Sequence, residues 1–337
     1  MYFMRRIWLF AIPIVLVTGY FLGPHPQHPV YDTTLPAIPA ESGALARYVE
    51  DRESTHRLKP DNQARIIWFN DSLKQQTEYA FVYLHGFSAS QAEGEPIHRN
   101  IARKYGCNLF LSRLAEHGVD TSEALANLTA DKYWESAKEA FAIGKQIGKK
   151  VILMGTSTGG TLALKLAAQY PEVHALVLLS PNIAIDDSRA FLLNNPWGFH
   201  ILRLALHDDY VRSKDERDIY KQYWNSKYHL KAAIELQELI ETSMTEATFK
   251  KVHQPVVTLF YYKDDIRRDS VVKVSAMKTM FEQLGTPAGQ KQWVAEPEAG
   301  SHVIGSYIKS HDLEGVQKDI ERFITRVLGL QPVREPD

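Results

Sequence analysis

Val151-Ile152-Leu153-Met154-Gly155-Thr156-Ser157-Thr158-Gly159-Gly160 is the stretch whose reading decides the fold. Four apolar residues, read as a buried strand, run directly into G-x-S-x-G. The Ala- and Leu-rich segment Thr158–Tyr170 then continues at helical spacing until Pro171 stops it. Strand, turn and helix in that order explain the spacing. The serine sits on a turn so tight that only small residues fit two positions to either side, and the turn lifts its hydroxyl above the sheet edge. The helix behind it points its positive N-terminal end toward a developing oxyanion. A phosphate-binding loop is the competing reading, but Lys-Ser/Thr is missing after the glycines and the spacing is not G-x-G-x-x-G.

Outward from this turn, apolar bursts alternate with amphipathic stretches from Glu41 to the C-terminus. Strands are expected at Ile66–Asn70, Tyr79–Leu84, Asn108–Ser112, Val151–Met154, Ala175–Leu179, Val256–Tyr261 and Lys291–Val294. Helices are expected at Asp131–Ile147, Thr158–Tyr170, Val274–Leu284 and Leu313–Val327. The alternation predicts an α/β fold with a doubly wound, mostly parallel sheet. Only residues 182–254 break it: with no convincing buried strand, they read as a helical cap insertion within a domain of residues 41–337.

The chain has 337 residues, 39 Lys and Arg against 40 Asp and Glu, and 45% apolar residues, as a globular protein should. No basic run is long enough to track phosphates, so nucleic acid is not an expected partner. Cys107, the only cysteine, rules out internal disulfides and thiolate metal cages and is expected to pack as a small hydrophobe. At the N-terminus Arg5 and Arg6 precede an apolar run from Ile7 to Leu22, and Pro24, Pro26 and Pro29 interrupt any helix beyond it. Residues 1–23 therefore read as a membrane anchor or a cleaved signal segment, and residues 24–40 as a Pro-rich linker. With the arginines held in the cytoplasm, the catalytic domain is expected outside it, membrane-anchored, or exported if the segment is removed.

A serine is inert near neutral pH unless a base and an acid complete it, in the chain order serine, carboxylate, histidine. His302, in Ala299-Gly300-Ser301-His302-Val303 just after the last predicted strand, is the natural base. His85 is disfavoured because it precedes the nucleophile. Three aspartates compete for the acid in Lys263-Asp264-Asp265-Ile266-Arg267-Arg268-Asp269-Ser270-Val271-Val272. Asp264 stands nearest the usual distance from the strand end, and an aspartate left out of the triad should pair with Arg267 or Arg268. The backbone amides of Phe87 and Thr158 are the candidate oxyanion donors, and Gly86 is expected to allow the turn that aims the first of them.

His85-Gly86-Phe87, the turn around Ser157, the D-x-V-V at Asp269 and the Gly-Ser-His at His302 resemble the α/β-hydrolase superfamily, near its monoacylglycerol-lipase-like and serine-aminopeptidase-like branch. The likeness runs from about Arg65 to the C-terminus, and Leu114-Ala115-Glu116-His117-Gly118-Val119 is similar to that branch's H-G loop. The resemblance implies a helical cap after the sixth strand and cofactor-free hydrolysis, with no metal. The D-x-V-V register favours Asp269 as the acid, while the lengthened loop before it departs from the pattern and keeps Asp264 and Asp265 in play.

The expectation is therefore carboxylic ester hydrolysis through an acyl-enzyme, on a small-molecule ester, by Ser157, His302 and Asp269. Phe191, Trp197, Phe199, Tyr210, Tyr223, Trp224 and Tyr228 in the insertion suggest an apolar acyl or aryl group. The same residues would serve a short-peptide hydrolase. A non-catalytic, membrane-tethered binding protein of the same fold is the alternative from another class.

Overall fold

The computed structural model describes residues 2–333, with side chains from Ile12 onward. The side chains of Arg5 and Arg6 and the last four residues of the expected domain lie outside that description. Seven strands form the main sheet: β1 (Arg65–Ile67), β2 (Thr77–Leu84), β3 (Asn108–Leu111), β4 (Gly148–Thr156), β5 (Val173–Leu179), β8 (Val256–Phe260) and β9 (Lys291–Ala295). Their order is β1-β3-β2-β4-β5-β8-β9; β1 is antiparallel to β3 and every other pairing is parallel. The central register runs from Thr77 opposite Gly148 to Leu84 opposite Gly155.

The central strands are continuous apolar runs because both faces are covered. Ala80, Val82, Leu84, Val151, Leu153, Leu176 and Leu178 point to one core, while Phe81, Tyr83, Ile152, Met154, Ala175 and Val177 point to the other, the two-residue period of a strand. The first core is closed by α2 (Ser42–Ser54), α4 (Ala130–Ile147), α5 (Thr158–Gln169) and α10 (Val274–Gln283), and the second by α3 (Ile97–Lys104) and α11 (Leu313–Arg326). Cys107 is buried in the second core.

The insertion lies between β5 and β8, so it follows the fifth strand of this sheet in chain order. It is not purely helical. Besides α6 (Gly198–Leu206), α7 (Asp218–Tyr223), α8 (Leu230–Ser243) and α9 (Glu246–Lys250) it holds a two-stranded antiparallel ribbon, β6 (Tyr210–Arg212) with β7 (Lys227–His229). Three-residue strands carry too little periodicity to be read from sequence. Its second half is not a separate unit either: Ala232 and Leu239 of α8, with Phe249 and Val252, are buried in the first core.

The Pro-rich segment is bound to the domain along its length. Val30 N–H donates to Asp131 at 2.6 Å, the Trp134 indole donates to the Asp32 carbonyl at 2.6 Å, and the Tyr170 hydroxyl donates to Thr33 O at 2.9 Å. The fully buried Lys138 ammonium reaches Asp32 at 3.1 Å and Thr34 O at 2.9 Å. The segment is a strap with the composition of a Pro-rich linker. Ahead of it, α1 (Tyr2–Phe21) has Pro13 inside it and leaves Ile14, Val15, Leu16 and Phe21 exposed. Among the described residues no helix is long and apolar enough to cross a membrane.

Candidate active site

Ser157 stands between β4 and α5 with φ 54° and ψ −119°, a conformation that L-residues avoid and that surroundings must enforce. Its N–H donates to Leu179 O at 2.9 Å, and its carbonyl accepts from Gly160 N and Asn182 N, both at 2.9 Å. The flanking glycines are a matter of space. A Cβ on Gly155 would stand 2.5 Å from the Gly159 backbone, and one on Gly159 would stand 1.9 Å from Leu84 O. Strand β2 thus runs against the first turn of α5, and the serine is left at the strand's C-terminal edge.

His302 comes from the loop after β9 and Asp269 from the loop after β8. His302 Nδ1 lies 2.6 Å from Asp269 Oδ2, and Asp269 Oδ1 accepts from the amides of Val271 at 2.9 Å and Val272 at 3.1 Å. Those two amides hold the carboxylate from the turn that follows it, and the second valine of D-x-V-V, Val272, is buried in the first core. Burial is the largest influence on Asp269 and pushes its pKa up. The His302 charge, the His302 hydrogen bond and the two amides outweigh it, so the carboxylate titrates below its ordinary range. For His302, burial pulls the pKa down most strongly, but Asp269 and the charge of Glu93 lift it above its ordinary value. Among the described residues its Nε2 is buried with no hydrogen-bond partner. An Nδ1 proton donated to Asp269 leaves the Nε2 lone pair free to take a proton.

The loop before Asp269 is a closed excursion. Tyr262 bridges Arg268, and Lys263 N–H donates to Arg267 O at 2.8 Å, so the chain leaves the strand at Tyr261 and returns beside it, where Asp269 N–H meets Tyr261 O at 3.0 Å. Asp264 is turned outward in an ion pair with Arg267, and Asp265 accepts the Tyr262 hydroxyl at 2.7 Å. Counting residues from the strand end therefore favours the wrong aspartate for pairing with His302.

Three consecutive amides follow His85. Gly86 N–H donates to Glu93 Oε2 at 2.5 Å, and Ser88 N–H donates to His117 Nε2 at 3.0 Å. The Gly86 carbonyl accepts from the His85 ring at 2.9 Å, and the Ser88 carbonyl accepts from Asn225 N at 2.7 Å. Phe87 N–H, between them, has no protein acceptor among the described residues, and neither has Thr158 N–H at the start of α5. Every other peptide group that flanks Phe87 is tied, so the free donor is aimed by its neighbours. His85 accepts Leu114 N–H at Nε2 (3.0 Å), and burial lowers its pKa to about 4. It is thus a loop residue with both ring nitrogens engaged. Gly86 has no positive φ; its lack of a side chain is needed because a Cβ there would lie 2.9 Å from the Glu93 carboxyl oxygens and 3.0 Å from Ser157 Cβ.

Glu93 was not foreseen. It lies in Ala92-Glu93-Gly94-Glu95-Pro96, which reads as an exposed polar turn, yet it is 3% exposed, and nothing in that local pattern signals its burial. His117 of the H-G loop likewise supports Ser88 from below, its Nδ1 against Ala115 O at 2.8 Å. Over the site, Tyr223 and Trp224 of the insertion pack with Ala89, Ala92, Val303 and Ile308, and Tyr228 meets the Phe87 ring edge-on at 5.0 Å. Phe191 and Trp197 are exposed instead. Among the described residues no group of His, Cys, Asp and Glu is arranged to hold a metal.

A family model described as serine aminopeptidase, S33, matches residues 130–295. Over 103 residues the chain is 31% identical to a thermostable monoacylglycerol lipase of Bacillus sp. (strain H-257), a match that covers 31% of this chain and 40% of that protein. The chain thus aligns with under half of that relative's length. Among solved structures, a chain of the metagenome-derived lipolytic enzymes LipS and LipT superposes with a TM-score of 0.64 at 17% identity, over 80% of this chain and all of that one. The monoacylglycerol lipase of Paleococcus ferrophilus gives 0.57 at 14% identity over 78% and 98%. Strand order, the tight turn at Ser157 and these likenesses give the chain the α/β-hydrolase fold. Within it the similarity is to the monoacylglycerol-lipase-like and serine-aminopeptidase-like branch.

Proposed function

We propose that the chain is a serine hydrolase of carboxylic esters in which Ser157 is the nucleophile, His302 the base and Asp269 the acid. The observation that carries this reading is the 2.6 Å pairing of His302 Nδ1 with a buried Asp269, which leaves Nε2 unpartnered in a site built around the Ser157 elbow. Nε2 takes the Ser157 proton as Oγ attacks the ester carbonyl. The amides of Phe87 and Thr158 hold the oxyanion, and His302 returns the proton to the departing alkoxide. Water, deprotonated by the same Nε2, then clears the acyl-enzyme and frees the serine. Tyr223, Trp224, Val303 and Ile308 form a buried apolar cluster with Ala89 and Ala92 of the loop after β2, and this apolar setting supports an apolar acyl or aryl group on the substrate. Residues 1–23 are proposed to hold the protein at a membrane, with the catalytic domain outside the cytoplasm. The exposed apolar side chains of α1 support this, and a high-salt wash that releases the full-length chain would refute it.

Labelling with a fluorophosphonate and digestion to find the modified residue tests the nucleophile. Modification at Ser157, lost in Ser157→Ala together with turnover of p-nitrophenyl esters, is expected. The variant should melt within about 2 °C of wild type, since only a hydroxyl is removed. The serine aminopeptidase model supports one second reading, hydrolysis of short peptides. Aminoacyl p-nitroanilides hydrolysed faster than p-nitrophenyl esters would favour it.

A further inference from the structure

Glu93 is a buried carboxyl with no part in the triad. It sits in the short 3-10 turn Gln91–Gly94, and its carboxyl and Ser157 Cβ both border the space that a Gly86 side chain would fill. The titratable groups coupled to it come from four elements: Tyr83 of β2, Tyr133 of α4 and the half-buried Tyr220 of α7, whose phenols its charge pushes up, and His302 of the loop after β9, whose charge pulls the Glu93 carboxyl down. We propose that Glu93 is a positioning residue of the oxyanion loop, whose carboxyl holds the Gly86 amide so that the next amide, Phe87, faces Ser157, and whose charge governs how readily His302 becomes neutral. The inference rests on the serine-hydrolase reading above and adds to it a second carboxyl with a defined task.

Two features of the geometry carry it. The Gly86 N–H to Glu93 bond is the tether on one side of Phe87, as the His117 ring is on the other, and without it that side is held only through the Gly86 carbonyl, by the His85 ring and Ala89 N–H. The carboxyl also lies against the Ser157 turn, across the space that a Gly86 Cβ would fill. A negative charge there opposes the oxyanion that forms on attack and favours the protonated form of His302. A neutral acid keeps the tether, through its carbonyl oxygen, without that penalty. Burial, the dominant influence on Glu93, raises its pKa to about 7, so both forms are populated near neutral pH.

Glutamine preserves the acceptor and removes the charge; alanine removes both. For Glu93→Gln, the ascending limb of kcat/KM against pH, which follows His302, should move to lower pH, with kcat on its plateau within about threefold of wild type. For Glu93→Ala, kcat should drop about 10- to 100-fold at every pH with KM little changed, as for a misplaced oxyanion donor. Stability supplies a readout independent of turnover. A carboxyl whose folded pKa is raised contributes stability below its unfolded pKa that is lost as pH rises through about 7. The melting temperature of Glu93→Gln should therefore gain on wild type between about pH 5 and pH 8.

Rates are read with a short-chain p-nitrophenyl ester and with fluorophosphonate labelling. An unmoved limb in Glu93→Gln overturns the electrostatic part, and equal kcat in Glu93→Ala and Glu93→Gln overturns the tether. Should Glu93→Ala not fold, Glu93→Gln and its melting curves still decide the charge, and a large loss of kcat in Glu93→Gln would refute the tether argument. Wild type that is not labelled at Ser157 overturns the hydrolase reading as well; labelling at Ser157 with unaltered variants overturns this inference alone.

Discussion

The elbow and the insertion above it are held in opposite ways. Around Ser157 the constraint is steric and short-range: Gly159 lies so close to Leu84 O that one methyl would overlap it, and the turn is bonded to β5, to the first turn of α5 and to the loop after β5. The insertion is fastened on one side: Ala232, Leu239, Phe249 and Val252 pack into the first core. Asn225 N–H bonds Ser88 O, the Lys59 ammonium bonds the carbonyls of Lys221 and Trp224, and Tyr228 meets Phe87. At the other end Phe191, Ile201, Leu204 and Leu206 face solvent. A site whose reacting groups must be fixed to a fraction of an ångström is built on backbone sterics. The part that shapes access is fastened by a few long-range contacts, and this predicts how each responds to substitution.

The severest test of the comparison is Gly159→Ala. A Cβ 1.9 Å from Leu84 O cannot be accommodated without separating β2 from α5, so the variant should lose roughly 4 kcal/mol or more of stability and all labelling at Ser157. Chemical denaturation and probe labelling check it; a near-normal midpoint would show that the elbow yields more than its geometry implies.

Next in size is the acid. Asp269→Asn should lower kcat by about four orders of magnitude, the loss the same exchange causes in chymotrypsin-type triads, by spoiling the imidazole tautomer. Asp264→Asn and Asp265→Asn, in the closed excursion, should stay within about tenfold of wild type. The wild-type rate should fall about tenfold per pH unit once pH drops below the pKa of His302. Because that pKa is raised, the fall begins above the ordinary histidine value of 6.5.

What was legible in the sequence follows the same division. The strands β4 and β5, the elbow and His302 are encoded in contiguous residues, through two-residue alternation, small residues at fixed offsets and loop position. The aspartate that pairs with His302 was legible only through the D-x-V-V register, because strand-end counting cannot know that Tyr262 to Arg268 closes on itself. Glu93 was illegible: its surroundings include Tyr133, Tyr220 and His302, from three stretches far from it in the chain. The ribbon of β6 and β7 is three residues per strand, and the strap at 24–40 is proline-rich coil whose docking depends on Trp134, Lys138 and Tyr170. Long-range partners leave no periodic trace.

Tyr228→Ala probes the fastened end of the insertion. An edge-on aromatic pair contributes about 0.5–1.5 kcal/mol beyond its buried area, so losing it should loosen Phe87 and lower kcat/KM by up to about tenfold. The melting temperature should move little. An effect as large as that of Asp269→Asn would mean that the insertion, too, is part of the rigid machinery.

The smallest effect is expected from the N-terminus, and it separates the helix from the strap. Removing residues 1–23 takes away α1 and its bond from Gly19 O to the Trp197 indole, which lies at the solvent-facing end of the insertion. It leaves every contact of Tyr31, Asp32, Thr33 and Thr34 in place. Turnover of a soluble ester should therefore stay within about twofold of wild type, while the protein should move from the membrane pellet to the supernatant. Removing residues 1–40 is a different matter. It takes the carbonyls of Asp32 and Thr33 from Trp134 and Tyr170, and it leaves the fully buried Lys138 ammonium with Glu135 as its remaining charge partner. A buried charge that loses part of its pairing costs several kcal/mol, so this shorter protein should melt markedly earlier than the one starting at Pro24. Equal stability of the two truncations would show that residues 24–40 act as a tether alone, and an activity loss in the first would show that α1 reaches the site through Trp197.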